Sequence, residues 1–322
     1  MKTVPKLEML PPTEPSIQSA LDTYHDAIHE MVCYGTHILH WILKENKKIL
    51  PESTELNIAH ALLFRHILEH LDSMAIQIKA SAIVPSKVQL RVILEAFLSL
   101  EYLLEKPENI AQRAAAYFLV GYYKSYNFLM KHTPGTEEYR IQMEDLKKHA
   151  KYIRDEDLPD TSAELENIKR LINSPLYREA KEEYNIYTKD NTKDINDLKW
   201  HALYNGPKST FRLANYLNRR DFYDYCYKPW SEEVHSTNLH RGVIVKAEEG
   251  YGAFNQLRMP DQAPELVQST TMIVLSVYEL LITKCVPKEL NNYRQWSRMY
   301  KMVHRNKVER IKFNLVAAPN PL

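Results

Sequence analysis

Seven glycines in 322 residues leave this chain few places for the tight turns and close backbone approaches that many folds require. The fraction is about 2%, against an average near 7%, and β-rich folds and loop-built nucleotide-binding α/β folds depend on such positions. No G-x-G-x-x-G, G-x-x-x-x-G-K-[ST] or G-x-S-x-G run occurs, which removes dinucleotide-binding, P-loop and hydrolase-elbow chemistry together. What remains is helix.

A formal net charge of +1 argues against a protein that coats nucleic acid or anionic membrane non-specifically, while leaving room for a local basic element. Cys33, Cys226 and Cys285 are odd in number and far apart, with no C-x-x-C spacing, so neither a disulfide framework nor a thiolate zinc site is expected. A reducing compartment fits. The N-terminus has no apolar signal-like run, and the most apolar later stretch, Met272 to Ile282, is short and carries Glu279. A cytoplasmic protein without a membrane partner is the expectation.

Ile17, Leu21, Tyr24, Ile28, Met31, Ile38 and Ile42 recur at three- and four-residue steps, which predicts an amphipathic helix from Ser16 to about Ile49. A second is expected from Thr54 to Ala82, stopped by a Val84-Pro85-Ser86 turn, and a third, apolar almost all round, from Lys87 to Glu105. A fourth runs from Ile110 to Lys131 and ends at the turn around Gly135. Glu137 to Arg154 and Ser162 to Tyr187 alternate acids and bases and read as exposed helices held by i,i+4 pairs. An aromatic-rich section begins at Trp200, a loop with Gly242, Gly250 and Gly252 follows, and helices over Glu265 to Cys285 and Asn291 to Asn314 close the chain. The expected architecture is an all-α multi-helix bundle of about nine to eleven helices. It comprises a disordered or extended lead over 1–15, a four-helix core over 16–135, a charged helical arm over 136–195 and a C-terminal helical part over 196–322 that completes the same domain, with a glycine-containing loop at 237–264.

Four constellations could carry chemistry. His25 and His29, and again His66 and His70, have i,i+4 spacing that could hold a metal between two helices. They flank the apolar stripes, so polar surface histidines are the favoured reading and no metal or cofactor is expected. Arg65 and His70 match the arginine-to-histidine spacing of the HEPN ribonucleases, in which an arginine grips phosphate and an imidazole moves the protons without a metal; Arg298 to His304 shows the same pattern. Arg91 and Glu95 place a charged pair in an otherwise apolar helix, which costs several kcal/mol unless well hydrogen-bonded and so marks either a structural lock or a site. Ser231 and His235 share a helical face downstream, with Arg212, Tyr223 and Tyr227 near in sequence. The last helix carries Arg294, Arg298, Lys301 and Arg305 with Trp296 interleaved, a pattern suited to phosphate contact and base stacking, or to an ordinary solvated helix.

The succession Arg91-x-x-x-Glu95, then Trp200, Gly206, Ser209, Arg212 and Ala214, then Tyr223, Tyr227, Ser231 and His235, resembles the microbial family named domain of unknown function 5677, over roughly residues 55 to 245. That family is similar in style to HEPN-type and abortive-infection proteins. The resemblance implies a metal-independent endoribonuclease or toxin-type effector in anti-phage defence, dimeric and acting on RNA. His235 would then be the acid or base, Arg91 and Arg212 would bind phosphate, and Glu95 and Ser231 would orient them, with Arg65 and His70 as the rival pair. The alternative is a non-catalytic module that uses the same polar cluster to bind a nucleotide or signal, with the charged arm contacting a partner protein.

Overall fold

A computed structural model describes residues 13–49, 54–149, 159–190, 197–234, 244–246, 252–254, 257–308 and 320–321. The helices are α1 (Pro15–Ile49), α2 (Thr54–Asn57), α3 (Ala59–Lys79), α4 (Ile83–Leu104), α5 (Ile110–His132), α6 (Glu137–His149), α7 (Ser162–Ile172), α8 (Arg178–Asp190) and α9 (Thr210–Tyr216). Then α10 (Arg220–Phe222) and α11 (Lys228–Val234) flank a π turn at Tyr223–Tyr227, and α12 is Ala263–Cys285. Finally α13 (Leu290–Tyr300) and α14 (Asn306–Val308) flank a second π turn at Lys301–Arg305. The protein is an all-α bundle, with one small antiparallel ribbon of β1 (Ile244–Lys246), β2 (Gly252–Phe254) and β3 (Asn320–Pro321) in that order.

The chain forms two compact units. The first comprises Met1–Glu52, His60–Leu104 and Ala214–Leu322. Its centre is made by α1, α3, α4 and α12, with α12 packed on both α1 and α4. The apolar period of α1 is the reason: Leu21, Tyr24, Ile28, Met31, Ile38 and Ile42 are fully buried. Gly35 sits where a Cβ would lie 2.6 Å from the Tyr278 hydroxyl, so the close approach of α1 to α12 requires glycine. Tyr278 in turn donates to the carbonyl of Met31 and meets Phe64 of α3 edge-on at 5.9 Å. By length and composition α12 is apolar enough to cross a membrane, and its apolar residues from Leu266 to Ile282 are those buried in this core.

The break between α3 and α4 differs from the expectation. Val84, Pro85 and Ser86 form the first turn of α4, where proline needs no N–H partner, and the chain turns instead at Ser81. Ser81 is left-handed (φ 60°), its N–H bonds the carbonyl of Ile78, and the N–H of Ala82 bonds that of Gln77, which is a Schellman cap. Asn218 (φ 56°) repeats the motif after α9, with the N–H of Asn218 on Asn215 and that of Arg219 on Ala214.

The second unit comprises Ser53–Ala59 and Glu105–Leu213. Its axis is α5, with α2, α6, α7 and α8 packed around it. The charged segments are sided: Met143, Leu165, Ile172, Tyr177, Ala180 and Tyr184 are buried, while Arg140 is clasped by Glu137 and Glu144 in solvent. Ring contacts knit the interior, with Tyr123 stacked on Tyr184 at 3.9 Å and Trp200 edge-on to Tyr117 at 5.8 Å. Part of the glycine-containing loop expected at 237–264 is β1 and β2, which pair with Ile244 opposite Phe254; Gly242 and Gly250 lie outside the described residues.

Candidate functional site

Two polar clusters of the first unit hold Arg91 and Glu95, and Arg65 and His70, of the expected site residues. The first is a seam between α4 and the helix of α10 and α11. Arg91 and Glu95 lie one turn apart on α4, with side chains 15% and 34% exposed and Nε 3.2 Å from Oε1. Tyr227 closes the pair into a ring. Its hydroxyl accepts from Arg91 at 2.9 Å and donates to Glu95 at 2.8 Å, while the guanidinium lies 4.7 Å from the centre of its ring. Burial, and then the Glu95 carboxylate, push the Tyr227 phenol up, so it stays protonated and able to donate. The π turn that brings Tyr227 here also stacks it on Tyr223, 4.8 Å centre to centre. Pro229, just past Lys228, cannot donate the bond that a regular helix would give to Tyr225, a condition that a widened turn accommodates.

The seam continues at Glu101, which receives Arg219 in a two-pronged pair at 2.8 and 3.0 Å. Hydrogen bonding to Glu101 raises Arg219 further, and the guanidinium lies over both Phe97 and Phe222 at 5.7 Å. Sequence reasoning missed this second pair. The signal was Glu101, a further acid near the end of an apolar helix.

Ser231 makes no hydrogen bond to this ring among the described residues. Ser231 is half-buried on α11, one turn beyond Tyr227, and His235 lies outside the described residues. Arg212 is an exposed residue of the second unit, its N–H capped by the Ser209 hydroxyl at 3.2 Å.

The second cluster is the outward face of α3. Arg65, His66 and Glu69 are exposed and His70 is half-buried. Arg65 pairs with Glu69 at 2.7 Å, with side chains 63% and 51% exposed. The imidazoles of His66 and His70 meet edge to face at 4.4 Å. Desolvation, and then the neighbouring His70, lower His66, with Glu69 opposing. His70 Nδ1 lies 2.5 Å from Oε1 of Gln89. An amide oxygen only accepts, so Nδ1 carries hydrogen and Nε2 is the nitrogen through which a proton is exchanged. Sequence reasoning missed Gln89, because its bond to His70 joins residues 19 apart on two helices.

Other expectations resolve differently. Trp296, expected to stack on a base, is turned inward: its Nε1 donates to Glu30 at 2.8 Å and its ring stacks on Tyr34 at 4.0 Å. The half-buried indole completes the packing of α13 on α1. Arg294, Arg298, Lys301 and Arg305 are exposed, as phosphate contact requires. His25 stacks on His29 at 5.5 Å, His25 pairs with Asp26 and His29 with Cys33, and among the described residues no three potential metal ligands converge.

The model of the family of unknown function DUF5677 matches residues 57–251, so the chain belongs to that family. No curated protein and no solved structure matches it. The matched span contains both polar clusters.

Proposed function

We propose that this chain is a metal-independent endoribonuclease of the HEPN-like type, a cytoplasmic toxin-type effector of anti-phage defence that acts as a homodimer, and that its catalytic face is on α3. The observation that carries the reading is the His70–Gln89 bond, because an oriented imidazole on the same helix as an exposed arginine, Arg65, supplies the two kinds of group that acid–base chemistry on a phosphodiester requires. His66, kept in its neutral form by its surroundings, takes the proton of a ribose 2′-hydroxyl. The 2′-oxygen attacks phosphorus, and protonated His70 delivers the Nε2 proton to the departing 5′-oxygen. Arg65 exchanges Glu69 for the phosphate oxygens, an easy exchange for an exposed pair. The products are a 2′,3′-cyclic phosphate and a 5′-hydroxyl.

Incubating the pure protein with total RNA in EDTA tests this, with His66→Ala, His70→Ala, Arg65→Ala and His235→Ala alongside. Cleavage that leaves cyclic phosphate ends and is lost in the three α3 variants is expected. No cleavage by any form, or loss confined to His235→Ala, overturns it.

A second reading is favoured by the closure of the Arg91–Glu95–Tyr227 ring, which leaves that seam architectural, together with the exposed cations Arg294, Arg298, Lys301 and Arg305. In it the chain is a non-catalytic module that binds RNA along α13, with the charged helices of the second unit contacting a partner protein. A salt-sensitive RNA gel shift without product, abolished by reversing Arg298 and Lys301, is its signature.

A further inference from the structure

A cavity of about 320 Å³ lies beside the last turns of α1 and the junction of α12 with α13. Trp41, Lys44, Glu45, Cys285, Val286, Pro287, Lys288 and Glu289 line it. Its size is at the lower end of the range for small-molecule sites. Half of its wall is apolar: the indole of Trp41, Val286, Pro287 and the Cys285 thiol, which burial pushes up to about 12 and keeps neutral. The indole is braced edge-on to Tyr34 at 6.0 Å and tilted against His37 at 6.4 Å, so it offers the cavity a pre-set aromatic wall.

The charged half has an asymmetry. Glu289 already accepts from Asn292 at 2.5 Å, and Glu45 is engaged as well. Lys44 and Lys288 are exposed, and neither forms an ion pair among the described residues. Two ammonium groups without an ion pair suit a phosphate, the two carboxylates suit hydroxyl and amino donors, and the flat apolar wall suits an aromatic ring. From this geometry we infer that the cavity is a binding site for a nucleoside monophosphate, with the base on Trp41 and the phosphate on Lys44 and Lys288. The site is built on α1 and the α12–α13 junction rather than on α3, so it stands or falls independently of the nuclease reading.

Titration of the full chain with AMP, GMP, CMP and UMP, followed by calorimetry, tests the assignment, with adenosine, inorganic phosphate and indole-3-acetate as separate arms. The expected result is saturable binding of at least one nucleotide, with Kd below about 1 mM, and binding at least about ten-fold weaker for adenosine and for phosphate. Lys44→Ala and Lys288→Ala, both exposed and so tolerated by the fold, each weaken it by about ten-fold. Absence of binding by all four nucleotides, binding that survives the double lysine variant, or binding of indole-3-acetate alone overturns the assignment.

Discussion

Arg65–Glu69 and Arg91–Glu95 are the same four-residue step on consecutive helices of one unit, and their surroundings are opposite. On α3 both side chains are more than half exposed, and the pair lies beside two imidazoles. On α4 the guanidinium is largely covered, and a tyrosine 132 residues away in sequence from Glu95 bonds both partners. Spacing therefore sets which side chains meet. What lies across from them decides whether the charge is available to a ligand: an exposed pair loses little on exchanging its acid for phosphate, while a covered, ring-closed pair loses hydrogen bonds that water cannot easily replace.

The widest separation between the two regions is expected in catalysis. His70→Ala lowers RNA cleavage by about 100-fold or more while the thermal midpoint stays put, whereas Tyr227→Phe leaves cleavage unchanged and lowers the midpoint. Equal losses in both would erase the distinction. Next in size is an acid effect within α3 itself, where His60 is buried and His66 exposed. Burial pushes His60 down to about 4 from its usual 6.5, so the unfolded chain takes up the proton first. Stability is then full above about pH 6.5 and is lost as pH falls toward 4, by about 3 kcal/mol in all. Denaturant melts across that window read the slope, which His60→Gln flattens; an unchanged slope in the variant would assign the acid loss elsewhere.

Arg91→Ala follows, at about 2 kcal/mol, because it leaves the Glu95 carboxylate and the Tyr227 hydroxyl without their cation; the partial exposure of Glu95 keeps the loss below that of a fully buried pair. Tyr227→Phe costs about 1 kcal/mol, and a double-mutant cycle between the two shows coupling, since both sit in one ring. The smallest effect is Arg65→Ala, below about 0.5 kcal/mol in stability. A loss there as large as that of Arg91→Ala would show that the α3 pair is architectural too.

Helix limits were largely readable because each is dictated locally. Ile17 to Ile42 keep their period, Gly135 does take the left-handed turn (φ 90°) after α5, and α1, α5 and α12 begin or end within two residues of expectation. Pro85 misled because a proline stops a helix only when an N–H is needed at its place, and the first turn of α4 needs none there. Arg91 and Glu95 were readable as a pair since i,i+4 spacing is a property of one helix. Their fate was not, because it rests on Tyr227, and the π turn that aims it depends on packing between elements far apart in sequence. Gln89 with His70 and Glu30 with Trp296 follow the same rule: each partner comes from another helix, and no local pattern encodes which.

The Schellman cap at Ser81 has a practical consequence for anyone handling the protein. A serine in left-handed backbone at a helix end carries a steric cost of about 1 kcal/mol that glycine avoids. The position is therefore an unused reserve of heat tolerance, lying outside the α3 face, the Tyr227 ring and the Trp41 cavity. Ser81→Gly offers a sturdier starting chain for assays that must survive many further substitutions, at the expense of one more glycine in a protein that has very few.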